Sequence, residues 1–188
     1  MELRFKNLTS DMADEFFQYF EKDAFPKGDS RMECYCLESH LKDENKYING
    51  RERRKIAREL IQKGIMTGFL IYEGDQAVGW CNAGDKMNYA PICENVDFMT
   101  PNMEKGQIKI LYCMDIADGW QGRGIANLIM EKFLEDAEKE GYSYVEGYPF
   151  LDKMFKWQYR GPVKLYEKYG FEKYGEGPWF YIMRKKVG

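Results

Sequence analysis

Residues 108–148 constrain the fold more than any other stretch. The apolar run IKILYCMDI, residues 108–116, reads as a central strand. GWQGRGIANLIMEKF follows at residues 119–133, with glycines at 119, 122 and 124. From about Ile125 to Glu140, the residues Ile129, Met130, Phe133, Leu134 and Ala137 recur at helical spacing, and Gly141 stops the pattern. Tyr142 to Tyr148 is another strand. Strand, bare turn, amphipathic helix and strand in close succession require helices packed on a sheet. No Ser, Thr, Asp or Asn stands at the expected cap of that helix, so its first N–H groups lack a side-chain acceptor.

The rest of the chain extends the same pattern. Leu3 to Leu8 alternates like a short strand, and Ser10 or Asp11 is placed to cap a helix carrying Met12, Phe16, Tyr19 and Phe20 on one face. Asn49 caps a second helix holding Ile56, Ala57, Leu60 and Ile61, with Gly64 closing it. TGFLIYEGDQAVGWCNAG reads as a hairpin turning at EGDQ. Residues 85–105 show no period, and a loop that long in a compact domain is often functional. VKLYEKY is a short helix, and FEKYG with WFYIMRKK forms a closing hairpin. No repeat or linker interrupts the order, so residues 1–188 read as one mixed α/β domain on one sheet.

Composition narrows the function. Hydrophobic residues make up 44% and charged residues 31%, the balance of a folded soluble protein rather than a disordered one. A net charge of −3 argues against non-specific nucleic-acid binding. No apolar run approaches membrane-spanning length, and MELRFKNLTSDMADEFF lacks the apolar region of a secretory leader. Cys34, Cys36, Cys81, Cys93 and Cys113 are odd in number and show no framework spacing; they read as reduced thiols of a cytoplasmic protein.

A helix N-terminus presents unpaired donors and a partial positive charge, and a turn stripped of side chains lets a ligand come close. Such a turn suits a phosphate, and Arg123 adds a full charge beside the donors. A plain strand-to-helix loop capped by water is the competing reading. The dinucleotide fingerprint fails, because Gly122-Arg123-Gly124 continues as Ile-Ala-Asn. The P-loop pattern is absent as well.

Gln121-Gly122-Arg123-Gly124-Ile125-Ala126 resembles the Q/R-x-x-G-x-G/A signature of the GNAT superfamily of acyl-CoA-dependent N-acyltransferases. Leu165-Tyr166-Glu167-Lys168-Tyr169-Gly170-Phe171 is similar to its later LYEKxGF segment, and the element order matches across nearly the whole chain. GWC at 79–81, Cys113 and Glu146-Gly147-Tyr148-Pro149 further resemble an uncharacterised bacterial branch. Positions often held by Asn and Ala before the LY segment are Tyr159 and Pro162 here.

The resemblance implies a mostly antiparallel sheet flanked by helices and splayed between its fourth and fifth strands. It implies acetyl-CoA as cosubstrate, a small-molecule amine as acceptor, and no metal. The pyrophosphate would rest on the backbone N–H groups from Gln121 to Ala126 (Gln121, Gly122, Arg123, Gly124, Ile125, Ala126). The pantetheine arm would pair with the fourth strand near Met114 and Ile116, and an N–H near Ile116 would stabilise the thioester oxygen. Tyr166 matches the family's tyrosine acid. Glu146, on the strand after the phosphate helix, is one candidate base, its plainer role being a salt-bridged carboxylate. Asp115 is another, pointing to the face opposite Ile116. The expected partners are the amine and acyl-CoA, with no nucleic acid or membrane, in a monomer or homodimer.

Other features compete. Cys34-x-Cys36-x3-His40 offers soft metal ligands at an unusual spacing with no clear fourth, or a Cys-His pair, and small buried thiols beside a structural His are preferred. Cys81 or Cys113 is placed to line an acyl channel. Trp80, Tyr89, Trp157, Tyr159 and Trp179 fall in segments expected around the acceptor cleft. The runner-up function is an acyl-CoA-binding sensor or scaffold without turnover.

Overall fold

The computed structural model describes residues 2–41, 48–89, 107–151, 158–177 and 179–188. Seven strands, β1 (Leu3–Asn7), β2 (Gly68–Glu73), β3 (Gln76–Asp85), β4 (Ile108–Ile116), β5 (Tyr144–Gly147), β6 (Glu172–Glu176) and β7 (Tyr181–Lys186), form one sheet in the order β1-β2-β3-β4-β5-β7-β6. Every neighbouring pair is antiparallel except β4 and β5, which run parallel. Helices α1 (Ala13–Gln18), α2 (Gly50–Gln62), α3 (Ile125–Lys139) and α4 (Val163–Lys168) flank the sheet.

Period-two alternation sorts the strand side chains onto two faces. Leu70, Tyr72, Trp80 and Cys113 pack with Phe16, Tyr19 and Phe20 and with Ala57 and Ile61 of α2. Phe69, Ile71, Cys81, Leu111 and Met114 pack with Ile129, Met130 and Phe133 of α3 and with Leu165 and Tyr166 of α4. Each fully buried Ile, Met or Phe contributes roughly 1.5–3 kcal/mol. A helix cap supplies about 1 kcal/mol. Its buried face therefore holds α3 in place, and its N-terminus is left free for another use.

The parallel pairing of β4 with β5 stops at Leu111 opposite Gly147, so Tyr112 to Ile116 run on past the neighbour. On its other edge β4 carries a bulge. Asn82 faces Cys113 and Ala83 faces Leu111, which leaves Tyr112 as the extra residue. The bulge turns both Tyr112 and Cys113 towards the α1–α2 face, restores alternation from Met114 onward, and sends Asp115 to that same face.

The first helix departs from expectation. It begins at Ala13 after Met12, with no side-chain cap. The Asp11 carboxylate instead accepts from the Thr9 hydroxyl at 2.5 Å. A π-helical turn, Tyr19–Asp23, continues it and keeps both Tyr19 and Phe20 buried. Asn49 caps α2 as expected, accepting from the Glu52 N–H at 3.0 Å. Most of the aperiodic 85–105 stretch, with Cys93, lies outside the described residues.

Gly147 ends β5 against the Tyr166 ring, where a Cβ would stand 2.0 Å from Cε1. Gly147→Ala should therefore destabilise the fold by about 1–3 kcal/mol. Thermal unfolding tests this: an unchanged melting temperature would mean that the Tyr166 ring yields freely.

Candidate active site

The glycine turn joins β4 to α3. Gly119, Gly122 and Gly124 have φ of +82°, +74° and +83°, a region other residues enter at a cost, and a Cβ on any of them meets nothing within 4 Å. These glycines are therefore set by backbone conformation, not by internal packing. Gly124 is the N-cap of α3 and makes no side-chain cap bond. Residues 121–124 are exposed, so the turn itself is open to solvent. The Gln121 side chain is turned back, its Nε2 donating to the Ile116 carbonyl at 3.2 Å. The Arg123 guanidinium lies 4.7 Å over the Trp120 ring, which holds a positive charge beside the turn. Ile125 is buried and anchors the start of the helix.

Tyr166 and Met114 lie together on the α3 face beside the end of β5. The Tyr166 hydroxyl is buried and donates to the Arg160 carbonyl at 2.6 Å; burial pushes its pKa far above the ordinary value, so it stays a neutral donor. The Met114 N–H donates to the Tyr159 carbonyl at 2.6 Å. In this arrangement the chain's own 158–161 segment occupies the edge of β4 where Met114 is expected to meet a pantetheine arm. Alternation puts the Ile116 N–H on the same edge, one step nearer the glycine turn.

Glu146 does not fit the role of base. It is fully buried, and both carboxylate oxygens are engaged: Oε2 accepts from Lys86 Nζ at 2.7 Å and from the Tyr148 hydroxyl at 2.5 Å, and Oε1 accepts from Arg184 Nε at 2.7 Å and from its terminal nitrogen. Four donors from Lys86, Tyr148 and Arg184 occupy both oxygens, so the carboxylate is committed to internal partners rather than to a substrate amine. This correction follows from Lys86 and Arg184, distant in sequence and unreadable as partners from it.

Asp115 is the contrasting carboxylate. It lines a cavity of about 160 Å³ on the α1–α2 face, together with Phe20, Phe25, Tyr112, Tyr159 and Cys113. Its Oδ2 is buried with no hydrogen-bond partner among the described residues. Burial pushes its pKa up to about 7, and Tyr19 and Arg31 only partly offset this. The Arg31 guanidinium forms its own bidentate pair with Asp29, at 2.9 and 2.6 Å. Arg160 buttresses the cavity wall, donating to the Tyr112 hydroxyl at 2.7 Å and lying 4.5 Å over that ring. The sequence holds no periodic signal for Phe25 or Tyr112 as wall residues, because a loop turn and a bulge put them there.

The remaining candidates separate. Cys34, Cys36 and Cys113 line the cavity, and Cys81 is buried in the opposite core. His40 Nδ1 meets the Asn88 carbonyl at 2.9 Å, its ring lies 4.7 Å from Tyr89, and burial lowers its pKa to about 4. Among the described residues no group of three or more His, Cys, Asp or Glu is arranged to hold a metal ion. Trp80 and Tyr89 are core residues, Trp179 is exposed, and Trp157 lies outside the described residues. Among the described residues no helix is long and apolar enough to cross a membrane.

No protein-family model matches the chain, and no curated protein matches it. Solved structures do. An acetyltransferase of the GNAT family from Streptococcus pneumoniae aligns with a TM-score of 0.56 at 15% identity, covering 100% of both chains. The Campylobacter jejuni N-acetyltransferase PseH, in complex with acetyl coenzyme A, aligns at 0.55 and 16%, again over 100% of both. The C-terminal condensation domain of Ebony, in complex with beta-alanyl-dopamine, aligns at 0.61 and 13% with the same coverage. The fold, with its open mixed sheet and its parallel β4–β5 pair, is the GNAT fold.

Two measurements test the carboxylate assignments. Glu146→Gln removes the buried charge that pairs with both Lys86 and Arg184 and should cost about 3–5 kcal/mol of stability; an unchanged melting temperature would mean that the pairing contributes nothing to the fold. For Asp115 the folded pKa of about 7 lies above the ordinary 3.8. Between those values only the folded chain holds the proton, so this contribution to stability is present at low pH and is lost as pH rises. Asp115→Asn should therefore raise the melting temperature above about pH 7, by a gain on the order of 2–4 kcal/mol, and do little in acid.

Proposed function

With the GNAT fold as premise, we propose that this chain is an acyl-CoA-dependent N-acyltransferase, transferring acetyl from acetyl-CoA to the primary amine of a small molecule. The observation that carries this reading is the half-paired β4. An exposed, uncapped glycine turn lies at its C-terminal end, and on its α1–α2 face lies Asp115, whose Oδ2 is buried without a partner among the described residues. Two reactants can thus approach from opposite faces and meet where β4 leaves β5.

On one face, the backbone N–H groups from Gln121 to Ala126 take the cosubstrate's pyrophosphate, with Arg123 adding charge. The pairing of Met114 with Tyr159 reserves that donor for the protein, so the strand-like pairing of the pantetheine arm falls to Ile116 or requires the 158–161 segment to shift. The Ile116 N–H is aimed to stabilise the developing oxyanion. On the other face, Asp115 takes the proton of the incoming amine. An alkyl ammonium has a pKa of about 10, so a neighbouring base is needed at neutral pH.

Asp115 first takes one ammonium proton. The free amine nitrogen then forms a bond to the thioester carbon, and the carbon–sulfur bond breaks. The second proton lost from nitrogen replaces the one that Tyr166 gives to the departing sulfur, so the net products are the amide, coenzyme A thiol and one proton held on Asp115. The thiolate leaves with the sulfur electron pair and takes a proton. Tyr166, neutral and on the cosubstrate's side of β4, is the donor for that step. Its hydroxyl must then exchange its bond to the Arg160 carbonyl for one to sulfur.

Saturating acetyl-CoA, at about 100 times its Kd, should add about 2.7 kcal/mol of stability. Gly124→Asp meets no steric obstacle but takes on the strain of a φ of +83°, and it sets a carboxylate against the diphosphate; it should fold with a lowered melting temperature and lose the acetyl-CoA shift. Free-thiol release with amines should depend on a group of pKa about 7. Asp115→Asn should cut kcat/KM by about 10²-fold or more and abolish the rising limb of the pH profile. A full melting shift in Gly124→Asp refutes the turn assignment, and an unaltered pH profile in Asp115→Asn refutes the base.

A further inference from the structure

The cavity above Asp115 carries information about the acceptor. Its walls are Phe20, Phe25, Tyr112 and Tyr159, with the small thiols of Cys34 and Cys113 between them. Its volume, about 160 Å³, is close to that of the roughly 150 Å³ apolar cavity that admits benzene in an engineered lysozyme. Among the described residues lining this cavity, Asp115 Oδ2 is the buried polar atom without a partner; Arg160, which lies over the Tyr112 ring and is not on the lining, also has its Nε buried without one. The arginine on the lining, Arg31, already forms a bidentate pair with Asp29, and a second carboxylate, Glu38, stands on the same lining. On the lining an acceptor carboxylate would face Asp115 and Glu38, with Arg160 screened from it by the Tyr112 ring, and a second ammonium would lie among aromatic carbons with no second buried acid among the described residues to receive it.

We propose that the cavity selects a primary amine bearing one benzene-sized apolar body, an arylalkylamine of the phenylethylamine class. The ring packs edge or face against the four aromatic walls, and the amino group reaches Asp115. Apolar burial gives the affinity, and the carboxylate fixes which end points towards β4. This rests on the acyltransferase reading above, and the reaction is the one described there: an amide and free coenzyme A thiol are formed.

The test is a comparison of kcat/KM from thiol release with acetyl-CoA, using β-phenylethylamine, tyramine, ethylamine, putrescine and L-phenylalanine. The arylalkylamines should exceed putrescine and L-phenylalanine by at least about tenfold. Cys34→Leu, which fills part of the cavity, should lower the ratio of β-phenylethylamine to ethylamine turnover, with folding checked by the melt. Equal or better turnover of putrescine or L-phenylalanine, or an unchanged ratio in folded Cys34→Leu, overturns the substrate class while leaving acyl transfer intact. An absence of both a melting shift with acetyl-CoA and thiol release with any amine overturns acyl transfer itself.

Discussion

A strand buried in a sheet needs a neighbour on each edge, because bare backbone N–H and carbonyl groups are costly in an apolar interior. β4 has such neighbours only as far as Leu111, where β5 turns away at Gly147. Everything distinctive about this molecule follows from the stretch beyond. The Tyr112 bulge, the bond from Met114 to Tyr159, the approach of Tyr166 to Gly147 and the exit into the glycine turn all lie at or beside that stretch. An open seam in a sheet is unstable unless something fills it. Here the 158–161 segment fills part, and the remainder joins the two faces.

Two carboxylates illustrate how environment assigns roles. Glu146 and Asp115 lie on adjacent strands and both are largely buried. Glu146 sits between Lys86 and Arg184 and ties β5, β7 and the turn after β3 together. Among the described residues no cation forms an ion pair with Asp115, Arg31 acting on it only from a distance, and its anion is correspondingly costly. A group that destabilises the fold at neutral pH is retained more readily for chemistry than for structure, the trade between stability and function seen at many active sites.

The elements around the seam were legible in the sequence because local signals carry them. The apolar run 108–116 became β4 at those bounds, and the helical spacing after Gly124 became α3. The cap at Asn49 and the EGDQ hairpin turn were equally local. The first helix was misread at its start, because Thr9 competes for the Asp11 carboxylate and the helix opens without it. Asp115 was visible as a carboxylate facing away from Ile116, yet its isolation was not, since that depends on which cations stay elsewhere. Glu146 was read as a base for the converse reason: Lys86 and Arg184 are far from it in the chain.

By itself, the sequence determined the order of strands and helices, the bare glycine turn and its uncapped helix, because periodicity, capping and φ preferences act over a few residues. Tertiary structure alone decided where β5 parts from β4, which of two acids is neutralised by cations, and that four aromatic rings from separate segments close around the other. Those are long-range contacts, set when the two faces of the sheet are covered, and no local pattern encodes them.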